Sequence, residues 1–219
     1  MKRIPFWSMV LLVLCIGHGC SAQPPDPASA RLTIPDAQAT TTRETFAAES
    51  KEWIFPEGKW MRREVAGTNV LAQTAVDRVY PLAIWQDKRY ADVDLNVRFK
   101  PISGSEDASG GLVFRARDAR NYFLVRANGL EDNFRLYAVI DGRRSEIAST
   151  GVEPPKIGSW HALRVIAVGS HIQAELDGKL LIDHHDETYT DGYVGLWTKA
   201  DSVTEFTDLT VKGTVRVGQ

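Results

Sequence analysis

The stretch "DVDLNVRF", Asp92 to Phe99, constrains this chain more than any other. Val93, Leu95, Val97 and Phe99 alternate without a break against Asp92, Asp94, Asn96 and Arg98. Side chains leave a β-strand on opposite faces in turn, so a period of two sorts four apolar residues to one side and four polar ones to the other. A helix cannot gather that pattern onto one apolar face. The run demands a strand with one face in a core.

Other short β-prone runs surround it. "NVLAQTA" and "YPLAIW" precede it. "GGLVFRA", "NYFLVRAN", "NFRLYAVI", "RRSEIAST", "WHALRVIAV", "IQAELD", "KLLIDHHD", "VGLWT" and "VTEFTDLTV" follow. Gly169-Ser170 and the Asp-Gly pairs at 141–142 and 177–178 mark hairpin turns. The spacing predicts about twelve strands and a β-sandwich or barrel. No amphipathic helix and no long internal repeat is evident.

The N-terminus reads differently. Lys2 and Arg3 precede an apolar core, Phe6 to Ile16, followed by small residues. The core falls short of the roughly 20 residues a membrane span needs, so residues 1–22 are expected to be a secretory signal. Gly19 before Cys20 has the small residue of a bacterial lipoprotein signal, with Cys20 as the lipid acceptor, but lacks the usual upstream Leu. Cleavage after Ala22 is the competing site. Cys15 and Cys20 are the only cysteines, so the mature domain must hold without a disulfide although it is expected outside the cytoplasm. Residues 23–43, rich in Pro, Ala and Thr, are expected to be a disordered linker. Residues 44–217 are expected to be the domain. A net charge of −2 argues against a nucleic-acid partner.

The polar residues with most to offer lie on three strands and one loop: Arg115, Asn121, Tyr122, Arg126, Asn128, Trp197, Lys199 and Asp201. In "NYFLVRAN", alternation puts Tyr122, Leu124, Arg126 and Asn128 on one face. Sugars require planar apolar surface and fixed hydrogen-bonding groups, which this set supplies. A structural role competes: Asp201 pairs with Arg115 or Arg126 and locks distant strands together, with Trp197 and Lys199 in the same cluster. Adjacent His184 and His185 point to opposite faces of a strand, which disfavours a shared metal.

"ADVDLNVRFKPISG", "GGLVFRARDARNYFLVRAN", "RLYAVIDGRR", "WHALRV", "ELDGKLL" and "GYVGLWTKADSVTEFTDLTV" together resemble the secreted bacterial 3-keto-disaccharide hydrolase-like family. These are laminin-G-like, concanavalin-A-like jelly rolls related to family sixteen glycoside hydrolases. The resemblance implies an all-β jelly-roll sandwich and a glycan partner, with glycoside hydrolysis as the activity. A non-catalytic carbohydrate-binding module and an envelope adhesion sandwich are the alternatives. The closely spaced carboxylates of family sixteen enzymes are missing: Asp92 and Asp94 lack a companion Glu and lie on the polar face of their strand. No catalytic pair is identified, and no cofactor motif appears. Laminin-G-like sandwiches often bind calcium, for which Glu106, Asp107, Glu131 and Asp132 are the candidate carboxylates, although neither loop matches a full calcium loop.

Overall fold

The computed structural model describes residues 30–76 and 80–216. The expected signal, with Cys20, lies outside them, as do residues 23–29. Val93, Leu95, Val97 and Phe99 are all buried, while Asp94 on the polar face holds Arg164 through bonds of 2.9 and 2.8 Å. The alternation at 92–99 therefore does what its period requires.

The described residues form fourteen strands: β1 (Thr40–Glu44), β2 (Trp53–Glu57), β3 (Trp60–Val65), β4 (Thr68–Gln73), β5 (Leu82–Ser103), β6 (Ser109–Asp118), β7 (Asn121–Asn128), β8 (Asn133–Ile140), β9 (Arg143–Gly151), β10 (His161–Val168), β11 (His171–Leu176), β12 (Lys179–His185), β13 (Gly192–Trp197) and β14 (Val203–Val215). The runs "LAIW" of "YPLAIW" and "DVDLNVRF" are one strand, β5. The intervening "QDKRYA" contains neither Gly nor Pro to break it.

β5 also explains the architecture. Its first residues pair with β13 and β2. Its remainder pairs with β10 and β14. One strand thus belongs to two layers: β2-β5-β13-β6-β7-β8-β9, and β12-β11-β10-β5-β14 with β1 and β4-β3 on the far side of β14. Every pairing is antiparallel, and the result is a jelly-roll sandwich. Phe99, Phe114, Phe123, Leu136, Val165 and Phe206 fill the space between the layers. A smaller apolar cluster, including Leu82, Ile84, Val113, Leu124, Tyr137 and Trp197, lies on the opposite face of the first layer.

The hairpin chemistry is as expected. Asp141 and Gly142 adopt φ of 51° and 80°, and Asp177 and Gly178 adopt 50° and 77°. Two successive positive values are the signature of a type I′ turn.

The stretch from 30 to 43 departs from the expected linker. Leu32 N donates to the Gln173 side chain at 2.8 Å, which in turn donates to Ala30 O at 3.1 Å. Ile34 is buried. Residues 40–44 then pair with β14, Thr40 opposite Gly213 and Glu44 opposite Leu209. Composition misleads here because docking through backbone bonds needs few apolar side chains.

Candidate functional site

The face of the first layer turned away from the main core is built by strand register. One row crosses it as Ile84, Gly195, Val113, Leu124, Tyr137 and Glu146. The next runs Leu82, Trp197, Gly111, Arg126, Arg135 and Ser149. Tyr122, Val139 and Arg144 form a third. An apolar floor and a charged end thus share one surface. We call it the outer face.

Arg126 anchors the charged part and is 1% exposed. Its Nη2 donates to Glu131 Oε2 at 2.8 Å, while Nε and Nη1 are buried without a partner. Asn133 donates to the same Glu131 oxygen at 3.0 Å. The Arg135 guanidinium lies 3.9 Å from Glu131 and 3.1 Å from Glu146, and reaches the Tyr137 hydroxyl at 3.4 Å. Burial alone would raise the Glu131 pKa. The hydrogen bonds from Arg126 and Asn133, with the charges of Arg126 and Arg135, outweigh that and bring it down to about 2. Glu131 is therefore a fixed anion at any ordinary pH.

Arg144 covers the floor. Its guanidinium carbon lies 4.5 Å from the Tyr137 ring centroid, 4.8 Å from Tyr80 and 5.3 Å from Trp197. The Tyr80 and Trp197 rings stack at 5.6 Å. Cation–π attraction favours this placement, and it leaves Trp197 inaccessible to solvent. Burial pushes the Tyr122 hydroxyl pKa up to about 12 despite the nearby Arg144 charge.

The residues expected to make one site fall into three places. Tyr122, Arg126 and Trp197 share the outer face, with Trp197 and Arg126 flanking Gly111. Asn128, Lys199 and Asp201 sit where β6, β7 and β13 meet the neighbouring loops. Asn128 Oδ1 accepts the backbone N–H groups of Ala108 and Leu130. Lys199 Nζ donates to the buried Asp107 at 2.8 Å. Asp201 pairs with no arginine among the described residues, contrary to the expected clasp. Its carboxylate accepts Ser105 Oγ at 2.7 Å and the backbone N–H groups of Ser105, Glu106 and Asp107 at 2.6, 3.0 and 2.9 Å. Hydrogen bonds from Ser105 come first among the causes that hold its pKa well below the carboxylate range. Successive turn N–H groups form a concave anion site, and this one holds the Asp201 carboxylate in place of the expected arginine.

Arg115 and Asn121 lie at the other end of the same strands. Arg115 occupies a bulge in β6 at φ 50°. Its side chain donates to Ala91 O at 3.2 Å and Tyr189 O at 3.0 Å. Burial lowers its pKa, opposed by the charges of Asp92, Asp191 and Asp186. Asn121 donates to Asp118 and accepts Asp141 N–H, fixing two turns.

Arg144, Glu146 and Tyr80 were not singled out from the sequence. "RRSE" does place Arg144 and Glu146 two apart, and so on one face, but the register against β8 decides which face. Of the four carboxylates expected for calcium, Asp107 pairs with Lys199 and Glu131 with Arg126. Among the described residues, no three His, Cys, Asp or Glu side chains converge as metal ligands.

Residues 44–212 match the family model described as the 3-keto-alpha-glucoside-1,2-lyase-like domain. Levanase of Bacillus subtilis (strain 168) is 30% identical over 94 residues, which are 42% of this chain and 14% of that protein. The match therefore spans a small part of the levanase. The fold is similar to carbohydrate-binding module CBM66 from Bacillus subtilis, with a TM-score of 0.64 and 23% identity over 74% of this chain and 95% of that one. It is also similar to a putative glycosyl hydrolase from Parabacteroides distasonis, with a TM-score of 0.54 and 17% identity over 78% and 98% of the two chains.

Proposed function

The chain belongs to the family of 3-keto-alpha-glucoside-1,2-lyase-like domains, and from that premise we propose that this carbohydrate-related domain binds a saccharide on its outer face and holds it without cleaving it. The observation that carries the reading is the Arg126–Glu131–Arg135–Glu146 layer. Arg126 is buried and holds Glu131 in place, while Arg135, Glu131 and Glu146 keep 32%, 31% and 43% of their side chains exposed and are the groups a ligand can meet. Arginine and carboxylate groups side by side offer donors and acceptors to vicinal hydroxyls. The similarity to a levanase and to carbohydrate-binding module CBM66 supports the same reading.

Holding suits Glu131, whose pKa near 2 keeps it from general acid or base work and leaves it a fixed hydrogen-bond acceptor. A catalytic reading rests on the family description. It would fall to Glu146, the other carboxylate of the layer. We further place the protein outside the cytoplasm, on the apolar segment Phe6 to Ile16, with lipid on Cys20. Mass spectrometry of the mature N-terminus tests that directly.

The test of binding is a glycan array followed by calorimetry. Arg135→Gln is expected to weaken binding at least about tenfold, the scale of a lost charge-assisted contact, with little change in melting temperature. Absence of binding to any glycan, or binding indifferent to Arg135→Gln, overturns the reading. Turnover of a 3-keto-α-glucoside that Glu146→Gln abolishes would favour the lyase.

A further inference from the structure

Arg144 is the unusual charge of the outer face. Arg126 and Arg135 have carboxylates beside them. Arg144 has no ion pair or hydrogen bond with any described residue, and its Nη1 is buried without a partner. It is nevertheless held in place, because three rings lie within 4.5 to 5.3 Å of its guanidinium carbon. Aromatic rings attract a guanidinium through its faces. They do not neutralise it. The result is a positioned, partly buried guanidinium with no anion beside it among the described residues.

The surrounding charges sharpen this. Arg126, Arg135 and Arg144 face Glu131 and Glu146, so the cluster carries one more cation than anion. Glu131 is committed to Arg126 and Glu146 to Arg135. Neither carboxylate contacts Arg144. A planar guanidinium edge matches a carboxylate with two parallel bonds, whereas a neutral hydroxyl accepts one and leaves the charge in place.

We propose that the outer face selects an acidic saccharide, a uronate, whose carboxylate is received by the edge of Arg144. This rests on the saccharide-binding reading and names the class of sugar that site takes. Arg144 is then the specificity-determining residue, the Arg126–Glu131–Arg135 layer receives hydroxyls, and the rings beneath position the fork.

The experiment uses matched pairs of immobilised oligosaccharides with the same backbone and linkages, one member carrying a C6 hydroxyl and the other a C6 carboxylate. Gluco/glucurono, galacto/galacturono and manno/mannurono pairs are included. Wild-type protein is expected to favour the carboxylate member of the pair it recognises by about tenfold or more at low salt, with the preference falling as salt rises. Arg144→Gln should erase the preference and leave any affinity for the neutral member. Arg144→Lys, which keeps the charge and loses the fork, should retain part of it and serves if the Gln variant fails to fold. Equal binding of both members, or a preference that survives Arg144→Gln, overturns the acidic-sugar inference and leaves saccharide binding standing. Binding to neither kind of member in every pair overturns both.

Discussion

The outer face and the Asp107–Lys199–Asp201 loop cluster are built from the same kinds of side chain and complete their bonding in opposite ways. In the loop cluster, Asp201 accepts three backbone N–H groups and a hydroxyl. Asp107 is met by Lys199 and by the Ser202 hydroxyl at 3.4 Å. On the outer face, Arg126 keeps two buried nitrogens unpartnered, and Arg144 rests on rings with no anion beside it among the described residues. A closed network fixes a structure, whereas an open one in a buried setting is costly unless something else completes it. Residue type does not separate the structural cluster from the recognition surface. What differs is where the charge goes: the loop cluster closes its two carboxylates with donors, whereas the outer face keeps Arg144 with no carboxylate beside it among the described residues.

That contrast is most sharply tested by Glu131→Gln. The change leaves the Arg126 cation buried without an opposite charge, the kind of loss that is strongly destabilising. Taking the pKa near 2 against an ordinary value near 4.5, and allowing for a side chain 31% exposed, we expect a loss of about 2–3 kcal/mol at pH 7 in chemical denaturation. Because the folded-state pKa is depressed, this contribution is full above the ordinary carboxylate pKa and disappears as pH falls through about 2. The gap between variant and wild type should therefore narrow below pH 4.5. A gap that is absent at pH 7, or constant across that range, removes Glu131 as the counter-ion of Arg126.

Asp201→Ala should have the next largest effect. It frees three turn N–H groups at a partly exposed site, where water replaces some of what is lost, so about 1–2 kcal/mol is expected. Saccharide affinity should not change. A variant that melts like wild type and loses sugar would reverse the roles of the two regions.

Tyr137→Phe should have the smallest effect. Its hydroxyl meets Arg135 only at 3.4 Å, a long bond, while its ring supports Arg144. Stability should stay within about 0.5 kcal/mol, and the preference for an acidic sugar should persist. Tyr137→Ala, by contrast, should weaken that preference by loosening the guanidinium fork. If the hydroxyl deletion alone abolishes binding, the ring is not the part that matters.

The sequence made the local structure legible and the long-range chemistry much less so. Strict alternation at 92–99 and the two Asp-Gly turns have local causes, and the strand and hairpins follow from them. Tyr122 and Arg126 on one face also follow from the period of two. The partner of Asp201 is 96 residues away at Ser105, and no local pattern points to it. Arg144 reaches the outer face through the pairing of β8 with β9, whose register shifts between Leu136 and Tyr137. A one-residue shift changes which face a side chain takes. β1 was hidden for a different reason: its pairing with β14 uses backbone groups that every residue type carries.

The most direct measurement is a crystal structure of the domain with a saccharide from the array bound. The account predicts the sugar against Glu131, Arg135 and Arg144, with its carboxylate on the Arg144 guanidinium. A sugar held instead by Lys199 and Asp201, with the outer face bare, would contradict it.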